Sequence, residues 1–149
     1  MHILLVEDED PKRRHIEEFL RSEVPGLELT IAKSVRSALE RLEEKVPDLV
    51  ILDMSLPTFD IGGDEGGGRP QGFGGVELIR NMELEEIFCP SIVLTGYESF
   101  SKAGGQVGLD ALNKELADAH PDIFRGIFHY NSAYGDWRHR VAAVLKEME

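Results

Sequence analysis

The chain has 149 residues, 42% of them hydrophobic and 30% charged, which fits one globular domain and leaves no room for two independently folded enzymatic units. Its 28 acids against 16 bases give a net charge of −12, which repels nucleic-acid backbones and anionic membrane surfaces and argues against both as partners. A single cysteine, Cys89, excludes an internal disulfide, and the apolar start at His2–Val6 is too short for a signal peptide or membrane span, so a cytoplasmic location is expected.

Apolar runs of strand length alternate with segments of helical period, the pattern of an α/β domain with a parallel sheet covered on both faces. Strand one is His2 to Val6, and Asp10 before Pro11 reads as the N-cap of helix one, whose buried face carries Ile16, Phe19 and Leu20. Pro25 and Gly26 break the chain before strand two at Leu27 to Ala32. Ser34 can cap a second helix with the apolar stripe Val35, Ala38, Leu39, Leu42 and Val46, which Pro47 ends. Leu49 to Leu52 and Ile92 to Leu94 lack polar alternation, as strands buried on both faces do. Between them a helix carries Val76, Leu78, Ile79 and Met82; a last strand near Ile127 to Tyr130 precedes a helix with Trp137, Val141, Val144, Leu145 and Met148 on one face.

Two stretches exceed this plan. Residues 58–75 hold eight glycines in 18 residues and read as a Gly-rich surface insertion, with a phosphate-cradling loop as a weaker alternative for want of a Gly-Lys-Ser/Thr sequence. Residues 97–122 read as a remodelled fourth helix plus an added helix at Leu109, Leu112 and Leu116. His15, His120 and His139 read as solvated helix or loop residues, Trp137 as core or interface, and Cys89 as a small core or loop residue.

Ligands of open parallel sheets bind beyond the carboxyl ends of the strands. Strand one delivers Glu7 and Asp8 there, strand three Asp53, strand four Thr95, and strand five His129, Tyr130 or Asn131. Three carboxylates in one crevice call for a hard cation, and Mg²⁺ suits carboxylates and carbonyls with retained waters. An aspartate beside such a cation can attack phosphorus, with a hydroxyl such as Thr95 supporting the charged oxygens.

The residues ILLVEDE from Ile3 to Glu9, DLVILDMSLP from Asp48 to Pro57 and IVLTG from Ile92 to Gly96 resemble the receiver domain of two-component response regulators. The resemblance implies one receiver-like domain over 1–149: a flavodoxin-like, doubly wound, five-stranded parallel sheet in the order 2-1-3-4-5. It implies Asp53 as phosphoacceptor, Mg²⁺ on Glu7, Asp8, Asp53 and the Ser55 backbone carbonyl, and Thr95 as the switch hydroxyl. Phe128 or Tyr130 would be the aromatic switch residue. A histidine kinase or phosphotransfer protein would supply the phosphoryl group, output would be a contact with another protein rather than an enzymatic activity, and a homodimer is an open alternative.

One departure stands out. Receiver domains carry a lysine after strand five that contacts the phosphoryl group, whereas GIFHYNSA from Gly126 to Ala133 offers Tyr130 or Asn131. Arg69 or Lys102, in the two insertions, are the candidate substitutes. The departure keeps a second reading open, a pseudo-receiver that binds partners without phosphorylation. A third, a haloacid-dehalogenase-like phosphohydrolase using Asp8 and Asp10, lacks its later lysine and acidic pair.

Overall fold

The computed structural model describes residues 1–60, 72–102, 105–133 and 135–148. Its main sheet takes β1 (His2–Val6), β2 (Glu28–Ala32), β3 (Leu49–Leu52), β4 (Ser91–Thr95) and β7 (Phe124–His129) in the order β2-β1-β3-β4-β7, every neighbouring pair parallel. That is the anticipated five-stranded order, with the last strand numbered seven because a hairpin, β5 (Ser99–Lys102) and β6 (Gly105–Gly108), intervenes. The helices are α1 (Asp10–Glu23), α2 (Val35–Glu44), α3 (Gly74–Leu84), α4 (Leu109–Ala119) and α5 (Asp136–Glu147).

Strand side chains alternate between faces, so each strand feeds two apolar layers. Leu4, Val6, Val50, Leu52 and Val93 pack with residues of α2, α3 and α4, among them Ala38, Leu42, Leu78, Met82 and Leu116. Ile3, Leu5, Ile51, Ile92 and Leu94 pack with Ile16 and Leu20 of α1 and Trp137, Val141 and Leu145 of α5. At the carboxyl ends of the strands the buried polar residues Glu7, Asp53, Ser55 and Thr95 collect.

Several expectations need correction. Asp10 is not the N-cap of α1: Glu9 holds that position without a side-chain cap bond, and the exposed Asp10 pairs with Arg13 inside the first turn. Val46 lies beyond the end of α2 and is exposed, whereas Ser34 caps α2 through a reciprocal bond with Ser37. The region 97–122 does not contain a broken helix plus an extra one but an antiparallel hairpin followed by the single helix α4. Phe100, fully buried, anchors the hairpin against Phe73 and Tyr97 at ring separations of 5.6 and 5.7 Å. His120 is buried rather than solvated, its Nδ1 2.8 Å from Glu83 Oε2, and His15 is half-buried. Of the Gly-rich segment, Gly74 and Gly75 already belong to α3, while 61–71, with Arg69, lie outside the described residues.

Candidate functional site

The crevice is built from the turns that follow β1, β3, β4 and β7. The Glu7 N–H donates to Ala32 and the Asp53 N–H to Val6, so the last ladder bonds of the sheet fix the two acidic turns side by side. Past Asp53 the chain is tied down on both flanks: the N–H groups of Val35 and Arg36, at the start of α2, donate to Pro57 and Thr58, and the Gly75 N–H of α3 donates to Met54 at 2.8 Å. Glycine is required there because a β-carbon at Gly75 would lie 2.5 Å from the Asp53 carbonyl oxygen, and one at Gly74 would lie 2.0 Å from that of Leu56.

Glu7, Asp8 and Asp53 come together, one carboxylate oxygen from each within 4.8 Å of the others. Ser55, whose carbonyl was expected to complete the set, is buried two residues beyond Asp53. Thr95 is fully buried at the end of β4, and its Oγ1 accepts the Tyr97 N–H at 3.2 Å. An open cavity of about 430 Å³ reaches Asp53 and is lined by Glu9, Lys12, Gly96, Tyr97, His129 and Tyr130 among others.

The residue that sequence reasoning missed is Lys12. Its side chain leaves the first turn of α1, is only 5% exposed, and places Nζ 2.7 Å from Glu7 Oε1, 3.1 Å from Asp53 Oδ1 and 2.7 Å from the Leu94 carbonyl. An ammonium has three protons, and here each has an acceptor. The signal was present in the spacing, since Lys12, Ile16 and Leu20 form one buried stripe at intervals of four. A lysine one turn before the apolar part of that stripe must point inward over the strand ends.

Burial works against the Lys12 charge, yet Asp53 and Glu7 together outweigh it and hold the ammonium above its ordinary range. Two acids share this one cation. Burial pushes the Glu7 carboxyl up to about 7, Lys12 opposes that rise, and the neighbouring Asp53 charge adds to it.

At the far side, the Tyr130 N–H donates to Thr95 at 2.7 Å, and Tyr130 is the first residue past β7. Asn131 accepts the Ala133 N–H at its Oδ1 and lines the cavity that reaches Asp53. The Tyr130 ring lies 5.6 Å from Lys12 Nζ, and its hydroxyl is 2.8 Å from His15 Nδ1. Phe128 is half-buried against the α1/α5 layer with the Arg140 guanidinium over its ring. Lys102 lies on β5 of the hairpin.

A model of the response regulator receiver domain matches residues 3–119. The chain belongs to that family. The match ends before β7, the strand on which this receiver domain departs from the expected lysine. Among related sequences, the Detocs response regulatory protein DtcB of Vibrio alginolyticus is 32% identical over 97% of this chain and 99% of its own length. Protein y4jR of Sinorhizobium fredii is 30% identical over 93% and 92%. Among solved structures, the Thermotoga maritima response regulator TrrA in complex with Mg²⁺ and BeF superposes with a TM-score of 0.63 at 22% identity, covering 99% of this chain and 98% of that one. The Mn²⁺-bound response regulator Rcp1 gives 0.63 at 19%, over 96% and 90%. These structural likenesses show the flavodoxin-like receiver fold. Receiver domains serve two-component signalling, in which aspartate phosphorylation and Mg²⁺ are typical. No helix among the described residues is long and apolar enough to cross a membrane.

Proposed function

We propose that this receiver domain accepts a phosphoryl group on Asp53 from a phosphohistidine of a histidine kinase or phosphotransfer protein and passes the signal on by protein–protein contact, with no enzymatic activity of its own. The observation that carries the reading is the position of Asp53: at the carboxyl edge of a parallel sheet, opening on a cavity, between two further carboxylates and a buried ammonium.

Three hard oxygen donors within 4.8 Å of one another, with a single positive side chain among them, fit a small divalent cation. Glu7, Asp8, Asp53 and the Ser55 carbonyl would hold Mg²⁺, which when bound neutralises charge on the incoming phosphoryl oxygens. Asp53 supplies the nucleophile: a carboxylate oxygen forms a bond to phosphorus as the bond from phosphorus to the imidazole nitrogen breaks, the electron pair leaving with the imidazole. The tethers from α2 and α3 hold the Asp53 turn still during attack. The Thr95 hydroxyl, now accepting from Tyr97, can turn to donate to a phosphoryl oxygen, and that exchange would release the Tyr97 backbone and the hairpin behind it.

For output, β7, α4 and α5 frame a second cavity of about 440 Å³, lined by Leu109, Asp110, Phe128, Trp137 and Arg140 among others. Phe128, the candidate aromatic switch, lies in that wall. The phosphorylation-independent reading drew on the missing strand-five lysine and on the remodelled region before α4; the Lys12 ammonium beside Asp53 weighs against the first and leaves the second standing. The phosphohydrolase reading loses Asp10, which is exposed and paired with Arg13. Incubating the protein with Mg²⁺ and a small-molecule phosphodonor and weighing it intact tests the reading: one added phosphoryl group on wild type and none on Asp53→Asn is expected.

A further inference from the structure

The geometry points to Lys12 of α1 as the phosphoryl-contact lysine of this domain, doing from the first helix what other receiver domains do with a lysine after the last strand. The inference rests on Asp53 being the acceptor, as proposed above.

Four observations converge. Lys12 is the one cation among the described residues that reaches Asp53, donating directly to Oδ1 at 3.1 Å. It is nine-tenths or more buried and still lines the cavity that opens on Asp53, so its ammonium faces both the acceptor and the space a phosphoryl group would fill. Its second carboxylate partner, Glu7, places it on the crevice side of β1, so the cation bridges the β1 and β3 turns that deliver the acids. Finally, Tyr130 takes the backbone position where the family lysine would stand, and its ring lies beside the Lys12 ammonium. A second cation at 130 would meet the first. The aromatic face instead closes one side of the Lys12 site without adding charge.

This arrangement predicts a definite rearrangement. When Asp53 becomes an acyl phosphate its Oδ1 loses charge, and the ammonium transfers that hydrogen bond to a phosphoryl oxygen while keeping Glu7 and the Leu94 carbonyl. Leu94 precedes the buried Thr95, so the lysine would join the phosphoryl group to the strand that carries the switch hydroxyl. A lysine that merely neutralised two buried acids would affect stability and leave phosphorylation in Mg²⁺ unchanged.

The test compares Asp53 phosphorylation rate and phosphoryl lifetime in Mg²⁺ for wild type, Lys12→Gln, and Lys12→Gln combined with Tyr130→Lys, folding being checked by circular dichroism. Lys12→Gln should lose roughly ten- to hundredfold, the factor carried by one hydrogen bond to a charged group. The added Tyr130→Lys should recover much of it, because the charge returns from the strand. A folded Lys12→Gln protein phosphorylated at the wild-type rate overturns the role of Lys12 and leaves the Asp53 reading standing. Phosphorylation of Asp53→Asn, or none of wild type, overturns the Asp53 reading instead. A readout on the wild-type protein covers the case of a variant that does not fold: the Lys12 Nζ resonance should shift when Mg²⁺ and beryllofluoride are added together, and an unmoved resonance in protein that binds beryllofluoride overturns the proposal.

Discussion

Replacing Lys12 with methionine, which keeps the length of the side chain and removes its charge, should cost this receiver domain a large share of its stability in metal-free buffer. At 2.7 Å from Glu7 and 3.1 Å from Asp53, the ammonium gains about 6 and about 5 kcal/mol of attraction at an effective dielectric of about 20. Taking the three groups out of water offsets most of that gain, but the variant keeps the carboxylate burial and loses the attraction. Breaking such a buried pair typically costs about 3–5 kcal/mol. Glu7 can relieve the strain by taking up a proton, since its carboxyl already sits at about 7 with the lysine present and would rise further without it. The sign follows from linkage: a carboxyl whose folded pKa exceeds the unfolded value binds more protons when folded, so its stabilising contribution is complete at low pH and is lost as pH rises through the folded value. The deficit of Lys12→Met should therefore be smaller at pH 5.5 and larger at pH 8.5. At neutral pH a loss of about 3 kcal/mol lowers the midpoint by about 6–12 °C for a domain of this size. Urea and thermal unfolding in chelator, with Lys12→Met and Lys12→Met/Glu7→Gln side by side, measure it. A loss under about 1 kcal/mol at pH 8.5, or no recovery in the double variant, refutes the buried ion-pair account.

Gly75→Ala, whose β-carbon would press on the Asp53 carbonyl at 2.5 Å, should cost about 1–3 kcal/mol in urea unfolding, because a backbone atom cannot swing aside; Gly74→Ala should cost at least as much. Mg²⁺ affinity measured by calorimetry should fall as pH drops below about 7, with proton release on binding, because Glu7 must ionise to serve as ligand. Asp8→Asn should abolish that binding while leaving the unfolding midpoint near wild type, since relief of carboxylate repulsion offsets the lost contact. Phe100→Ala should cost about 3–5 kcal/mol and release the hairpin, seen as faster amide exchange across Ser99–Lys102.

The sheet was legible because burial on both faces demands uninterrupted apolar runs, and Ile3–Val6 and Leu49–Leu52 offer little else. The acidic turns were legible for the same reason in reverse: Glu7, Asp8 and Asp53 are the first polar residues after strands that tolerate none. Ser34 was read correctly because an N-cap is a local bond, made here with the Ser37 N–H three residues on. Lys12 was missed because long-range pairing has no local signature; in sequence it stands beside Arg13 and Arg14 in a charged stretch, although its period with Ile16 and Leu20 marks it as inward. The hairpin was taken for a broken helix because Gly104, Gly105 and Gly108 look like helix breakers, whereas the antiparallel pairing of Ser99–Lys102 with Gly105–Gly108 around the buried Phe100 makes these segments strands. Where β7 ends relative to Tyr130 and Asn131 could not be read without the backbone bond from Tyr130 to Thr95.

The central claim is that Asp53 carries the phosphoryl group, and an acyl phosphate can be read at the residue that bears it. Wild-type protein treated with Mg²⁺ and a small-molecule phosphodonor, then with borohydride, is digested and its peptides sequenced by mass spectrometry. Borohydride reduces an aspartyl phosphate to homoserine, so the account predicts homoserine at position 53, dependent on Mg²⁺ and absent without the donor. Homoserine at another aspartate, or none in protein shown to be folded and to bind Mg²⁺, would contradict it.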